Sequence, residues 1–314
     1  MTDGRLAVTV CSLRFRNPVV LAAGTAGYGA ELENVLDLDA IGGLVTKAVS
    51  VEPRAGAAEP RVAEFDGGMI NAVGLANPGL AKVTRLQVPW LGAHHPGTRK
   101  LFNVVGFAVE EFATVVRGLE ESAAAFPTAV DGYELNVSCP NVKQGGTEFG
   151  ADPNCLREVV RQARRETRRP LFVKLAPTLP SIADSARIAV DAGADAISVV
   201  NTIPGLVIDV ERRSAALGFG TGGISGPAIL PVGVLATWKV SQAVDVPILG
   251  LGGVASAADA LQYIIAGASL VGIGTAALRD PRTPARVAGD LERWCARHHV
   301  PTLSDVRGSL TWPA

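Results

Sequence analysis

Paired cysteines are missing from this 314-residue sequence: the four it has, at 11, 139, 155 and 295, form no C-x-x-C motif. That spacing excludes a zinc ribbon or a ferredoxin-type iron-sulfur cluster held by this chain, and it marks the four as reduced thiols. An excess of one charge is missing too. With 29 basic and 30 acidic residues the formal net charge is -1, so no global field draws nucleic acid or an anionic membrane. No apolar run approaches the roughly 20 residues of a membrane span, and the N-terminus lacks the basic-then-apolar pattern of a signal peptide. A soluble, cytoplasmic protein without nucleic-acid or membrane partners is expected. Internal repeats, low-complexity tracts and linkers are also absent, which predicts one domain over residues 1–314. The adjacent histidines, His94-His95 and His298-His299, diverge on a helix or a strand, so no metal site is expected. Arg161, Arg164, Arg165, Arg168 and Arg169 have the spacing of a solvated helix face.

What is present is apolar: 48% hydrophobic and only 19% charged residues allow a large core. Residues 5–16 alternate as a short hairpin fit to close the floor of a barrel. Eight apolar strand candidates follow, at 18–23, 41–48, 101–105, 132–137, 171–175, 196–201, 246–251 and 270–274. Helical stretches lie between them, including Glu110 to Phe126, Asn154 to Thr167, Ile182 to Ala192 and Ala257 to Ala266, the last with Ser256 as its N-cap. Near-continuous apolar strands alternating with helices predict a parallel (β/α)8 TIM barrel, with a doubly wound sheet as the alternative. Two insertions, 50–95 and 202–230, emerge after strand ends, on the C-terminal face where barrel sites are built.

The residues that break the apolar pattern fall at those same ends: Lys47, Asn103, Asn136, Cys139, Lys174 and Asn201-Thr202. A lysine among valines and leucines stays charged in a dry barrel only beside an anion or a strongly polar partner, so Lys47 and Lys174 imply an anionic ligand. The fourth strand runs into Asn136-Val137-Ser138-Cys139-Pro140-Asn141, where Pro140 ends sheet pairing. Asn136 and Asn141 offer paired donors and acceptors suited to a planar heterocycle. The loop beyond, with Gly145, Gly146 and Gly150, reads as a mobile lid. Strands seven and eight end in Gly250-Leu251-Gly252-Gly253 and Gly272-Ile273-Gly274-Thr275, each leading toward a helix, as in the phosphate cradle of such barrels. A Rossmann unit would open a βαβ with an acidic residue about 20 positions on, which neither copy has. A phosphorylated planar cofactor across the barrel mouth fits these groups. FMN suits the amides, while pyridoxal phosphate on either lysine is the competing choice.

Several motifs carry a resemblance. Asn136-Val-Ser-Cys139-Pro-Asn141-Val-Lys-Gln-Gly-Gly, Gly68-Met69-Ile70-Asn71-Ala72-Val73-Gly74-Leu75, Thr46-Lys47-Ala48 running on to Glu52-Pro53-Arg54, and Ser225-Gly226-Pro227 resemble class 1 dihydroorotate dehydrogenases over nearly the full length. The resemblance implies an FMN barrel that oxidises dihydroorotate to orotate in pyrimidine synthesis, with Cys139 as the base where class 2 enzymes use serine. It implies that Lys47, Asn71, Ala72, Val73, Gly74, Leu75, Asn136, Asn141, Asn201 and Thr202 hold the orotate. Ala23, Gly24, Thr25, Lys47, Asn103, Asn136, Lys174, Val200, Gly226, Gly252, Gly253, Gly274 and Thr275 would seat one FMN. Residues 201–210 look more like the catalytic subunit of subclass 1B than like 1A. Such a subunit passes electrons to a partner carrying FAD and a [2Fe-2S] cluster, which reduces NAD; a homodimer is implied as well. Fumarate-linked 1A chemistry, a related dihydropyrimidine dehydrogenase and an idle flavin-binding protein are the alternatives. Ala23 departs from the serine that many relatives carry near FMN, so one cofactor hydrogen bond is lost there.

Overall fold

The computed structural model describes residues 4–138, 140–141 and 147–313. Eight parallel strands close into a barrel in chain order: Val19–Leu21, Gly43–Val45, Arg99–Val104, Gly132–Asn136, Leu171–Leu175, Ala196–Val199, Ile248–Leu251 and Leu270–Ile273. The fold is the (β/α)8 barrel, and the doubly wound alternative falls because Leu270–Ile273 pairs with Val19–Leu21 and leaves no sheet edge. Alternate side chains along each strand take opposite faces. Val20, Val45, Leu101, Phe172, Ala196, Leu249 and Leu270 fill the inside. Their neighbours, such as Phe102, Tyr133, Val173 and Ile197, pack outward against the helices.

The N-terminal hairpin, Val8–Val10 with Leu13–Phe15, joins the inner cluster through Val10 and Phe15, both almost fully buried. It closes the floor, and Cys11 Sγ donates to the Asp195 carbonyl at 3.2 Å. Burial, helped by Asp195, pushes the Cys11 thiol up to about 12, so it is inert as a nucleophile.

Local chemistry starts the helices where the sequence places them. Asp152 accepts from the N–H groups of Asn154 and Cys155 at 2.8 Å and opens Pro153–Glu166, with Pro153 in the first turn. Ser256 and Asp259 form a reciprocal cap at the start of Ala257–Ile265. Among the described residues, no helix is long and apolar enough to cross a membrane.

The two insertions are not independent loops. Val62–Phe65 and Gly68–Asn71 from the first pair with Gly222–Ser225 and Ile203–Gly205 from the second in one four-stranded antiparallel sheet. The first insertion also carries helical turns from Leu80 to Ala93. Three expectations need correction. Lys47 lies two residues beyond its strand, and Asn201-Thr202 lies beyond Ala196–Val199, so these residues belong to loops at the strand ends. Gly150 is buried, its N–H donating to the Val137 carbonyl at 2.9 Å, and is a packed residue rather than part of a lid. Arg164 and Arg169 do not face solvent freely: they bridge Asp195 at 2.7 Å and Glu120 at 3.3 Å, and Arg169 lies beyond the helix end at Glu166.

Candidate functional site

The polar strand ends converge at the C-terminal mouth in two linked groups. In the first, the Thr46 hydroxyl accepts from the Asn103 N–H at 3.2 Å and donates to the Lys47 carbonyl at 3.0 Å, while the Lys47 N–H donates to Gly27. Asn136 Oδ1 accepts from Ser138 N–H at 3.3 Å and from Asn201 Nδ2 at 3.2 Å, which ties the ends of the fourth and sixth strands together. Asn201 Oδ1 in turn accepts from the Thr202 N–H at 2.9 Å. Lys174 sits between them, in register with Asn136 on one side and Ser198 on the other. It is 6% exposed, and its ammonium makes no hydrogen bond or ion pair among the described residues. A nearly buried cation without a partner leaves room for an anion.

Asn71 extends this group across the insertion sheet, its Nδ2 donating to the Gly223 carbonyl at 3.3 Å. Gly223 makes room for Thr202, since a Cβ there would fall on the threonine side chain. Beyond Asn71 the chain is held by the insertion itself: Ala72 N–H donates to Arg61 at 2.8 Å, and the Val73 carbonyl accepts from Ala57 at 3.1 Å. Gly74 and Leu75 both have positive φ, 69° and 56°. Leu75 packs partly against the outer core.

In the second group, Thr275 Oγ1 donates to Ser225 Oγ at 2.8 Å, and Thr25 stands across from Gly274. Gly253 needs to be glycine: its φ is 74°, and a Cβ would stand 2.8 Å from Leu230. At Gly226 a Cβ would stand 2.9 Å from the Gly68 Cα. The Gly253 N–H donates to nothing among the described residues, and the Gly252 carbonyl is held by Tyr263 at 2.7 Å. Gly24 has open space around it. Ala23 packs against the inner cluster, and Val200 N–H donates to Leu251 at 2.9 Å. The glycine loop after the eighth strand leads into a helix as expected, the short Thr275–Arg279.

Cys139, with Gly145 and Gly146, lies outside the described residues. The backbone of Asn141 pairs with Thr147 in a two-residue antiparallel ladder. Of the three other cysteines, Cys155 and Cys295 are buried and Cys11 is partly so.

Two buried polar residues at the mouth escape the reading of the sequence. Glu134 is 1% exposed, and its Oε1 accepts from Asn103 Nδ2 at 2.8 Å. Ser198 is fully buried, with no partner for its hydroxyl. Both interrupt apolar strands two positions from an expected site residue, Glu134 before Asn136 and Ser198 before Val200, and the period of two was the signal available.

An open N–H after the seventh strand, an unpaired ammonium and a row of amides at the C-terminal rim define a ligand-binding (β/α)8 barrel whose site lies at its mouth. Residues 5–294 match the dihydroorotate dehydrogenase family, and the chain belongs to that family. It is 45% identical over 305 residues to the "Dihydroorotate dehydrogenase B (NAD(+)), catalytic subunit" of Pelobacter propionicus, covering 97% of this chain and 98% of that one. The protein of the same name from Trichlorobacter lovleyi is 44% identical over the same shares. A Solibacter usitatus protein with a provisional dihydroorotate dehydrogenase A (fumarate) name is also 44% identical, over 98% of both chains.

Proposed function

We propose that this chain oxidises dihydroorotate to orotate with one bound FMN, as the catalytic subunit of a B-type enzyme. The observation that carries the reading is the Lys174 ammonium, partnerless among the described residues and in register with Asn136, whose amide bonds Asn201, in a chain matched to this family over residues 5–294. The residues fit FMN. Gly252, Gly253, Gly274 and Thr275, with Thr25, Gly24 and Gly226, would take the phosphate through backbone N–H groups and hydroxyls. Lys47, Asn103, Asn136, Lys174, Val200 and Ala23 would line the ring. FMN, when bound, supplies the hydride acceptor.

Lys47, Asn71, Asn136, Asn141, Asn201 and Thr202, with the 72–75 turn, hold the substrate's carboxylate and ring amides. Cys139 removes the proton from C5 as C6 gives up its hydride, so the C5–C6 bond becomes double and the protein keeps one proton on sulfur. The Asn136–Asn201 hydrogen bond restrains the amides on either side of Lys174, which limits the reorganisation needed at the moment of reaction. The names of the Pelobacter and Trichlorobacter relatives, catalytic subunits of NAD(+)-linked enzymes, support a separate partner subunit and NAD as acceptor; FAD and [2Fe-2S] on that partner belong to the family resemblance. The Solibacter relative supports the fumarate-linked reading as the second choice. Exposed Leu206, Ile208, Val210 and Phe219 in the second insertion support a protein contact there, as a homodimer or with that subunit.

The test is the anaerobic visible spectrum of the purified chain before and after dihydroorotate, then with fumarate or NAD. Bleaching of a yellow protein supports the reaction, and reoxidation by fumarate alone moves the chain to the A type. Bleaching with neither acceptor effective calls for the partner subunit. A yellow protein indifferent to dihydroorotate overturns the substrate.

A further inference from the structure

Glu134 is a carboxyl group in the interior of the barrel, and the proposed chemistry gives it nothing to do. It is 1% exposed; Oε1 accepts from Asn103 Nδ2 at 2.8 Å, while Oε2 is sealed in with no partner among the described residues. Leaving one oxygen unsatisfied in a dry interior is costly. Groups kept at such a cost are expected where they serve a neighbouring site.

What it does to Asn103 follows from hydrogen-bond polarity. In its hydrogen bond with Glu134 the Asn103 amide presents its nitrogen, which leaves its oxygen turned away. Asn103 is 1% exposed and its N–H is fixed by Thr46, so the residue has one place to stand. Its Oδ1 accepts from nothing among the described residues, yet it is not one of the buried atoms cut off from open space. The free end of this buried amide is therefore an acceptor that reaches the cavity.

We propose that Glu134 is a positioning residue that locks Asn103 with its carbonyl oxygen towards the cofactor, so that the site takes a ring edge carrying an N–H donor. This rests on the FMN reading, and oxidised flavin has one such ring donor, the imide N3–H. The assignment adds a polarity to the site: amide oxygen from the protein, N–H from the ligand.

The experiment titrates FMN into the apoprotein of the full chain and reads the dissociation constant from flavin fluorescence. Glu134→Leu removes the acceptor and raises the constant by about tenfold, the weight of one hydrogen bond. Glu134→Gln keeps a carbonyl for the Asn103 amide and stays within about threefold of the parent. In an Asn103→Ala background, Glu134→Leu has no further effect beyond about twofold. An exchange decides the case even if Glu134→Leu does not fold. Asn103→Asp alone sets two carboxylates face to face and weakens FMN by about a hundredfold or more. Asn103→Asp with Glu134→Gln keeps the interior charge and again turns an acceptor outward, so binding returns. A double exchange as weak as Asn103→Asp alone overturns the proposal, because Asn103 would then serve as a donor. So does an equal loss from Glu134→Leu with and without Asn103. A parent chain that takes up no FMN overturns the cofactor reading first, before any variant is made.

Discussion

The two ends of the barrel treat charge in opposite ways. At the floor each buried or half-buried charge has a partner. Lys100, 1% exposed, donates to the carbonyls of Leu91 at 2.7 Å, His94 at 2.8 Å and Thr128 at 3.1 Å. Arg99 pairs with Asp131 at 3.0 Å, Arg169 with Glu120 at 3.3 Å, and Asp39 with His95 at 3.0 Å. At the mouth, among the described residues, Lys174 is nearly as buried as Lys100 and has no partner, Glu134 is half satisfied, and Ser198 is unsatisfied. Both lysines sit on barrel strands, so burial alone does not distinguish them. The difference lies in the charged groups: those of the floor are paired by the chain, whereas Lys174 at the mouth is left open where a ligand would bind.

Four changes would break or sharpen that contrast. The largest effect is expected from Cys139→Ala, which should slow flavin reduction by dihydroorotate about 10²- to 10⁴-fold in stopped flow, with FMN still bound. Next comes Lys100→Met at the floor. It strands three carbonyls and should cost about 2–4 kcal/mol of unfolding free energy in urea, with FMN affinity unchanged. Lys174→Met should do the reverse, weakening FMN about 10- to 100-fold. The apoprotein should melt no lower, since an unpartnered ammonium has been removed. If the two methionine variants behaved alike, the division of the barrel into a finished and an open end would be wrong.

The smallest effect is one of pH. The Asp39 carboxyl lies below its ordinary value, chiefly because of its hydrogen bond with His95. A depressed carboxyl stabilises the fold above the unfolded value, near pH ~4, and that contribution is lost as pH falls through the folded value. Asp39 is largely solvated, so Asp39→Asn should cost about 0.2–1 kcal/mol at neutral pH and flatten the acid limb, seen as urea midpoints between pH 7 and 3.

Much of this was legible in the sequence, because the barrel is written in local periods. The eight apolar strands and the capped helices announced themselves, and Lys47, Asn136 and Lys174 stood out as polar breaks at strand ends. The pairing of Asn71 with Gly223 did not, since no local signal reports a ladder between segments about 150 residues apart. Glu134 was visible as a charge inside an apolar strand. Its meaning was not, because it depends on Asn103 standing in register on the neighbouring strand. Lys100 looked no different from Lys174 in sequence. Only the carbonyls at the end of the 88–93 helix and at Thr128 show which lysine is satisfied.

Among the described residues the hairpin at residues 8–15 plugs one end of the barrel, which leaves the mouth at the other end as the doorway. Traffic through one doorway is last in, first out: a molecule seated deep cannot leave past another lying over it. Product lingering at the entrance would inhibit by queueing, without needing to compete for the deeper seat.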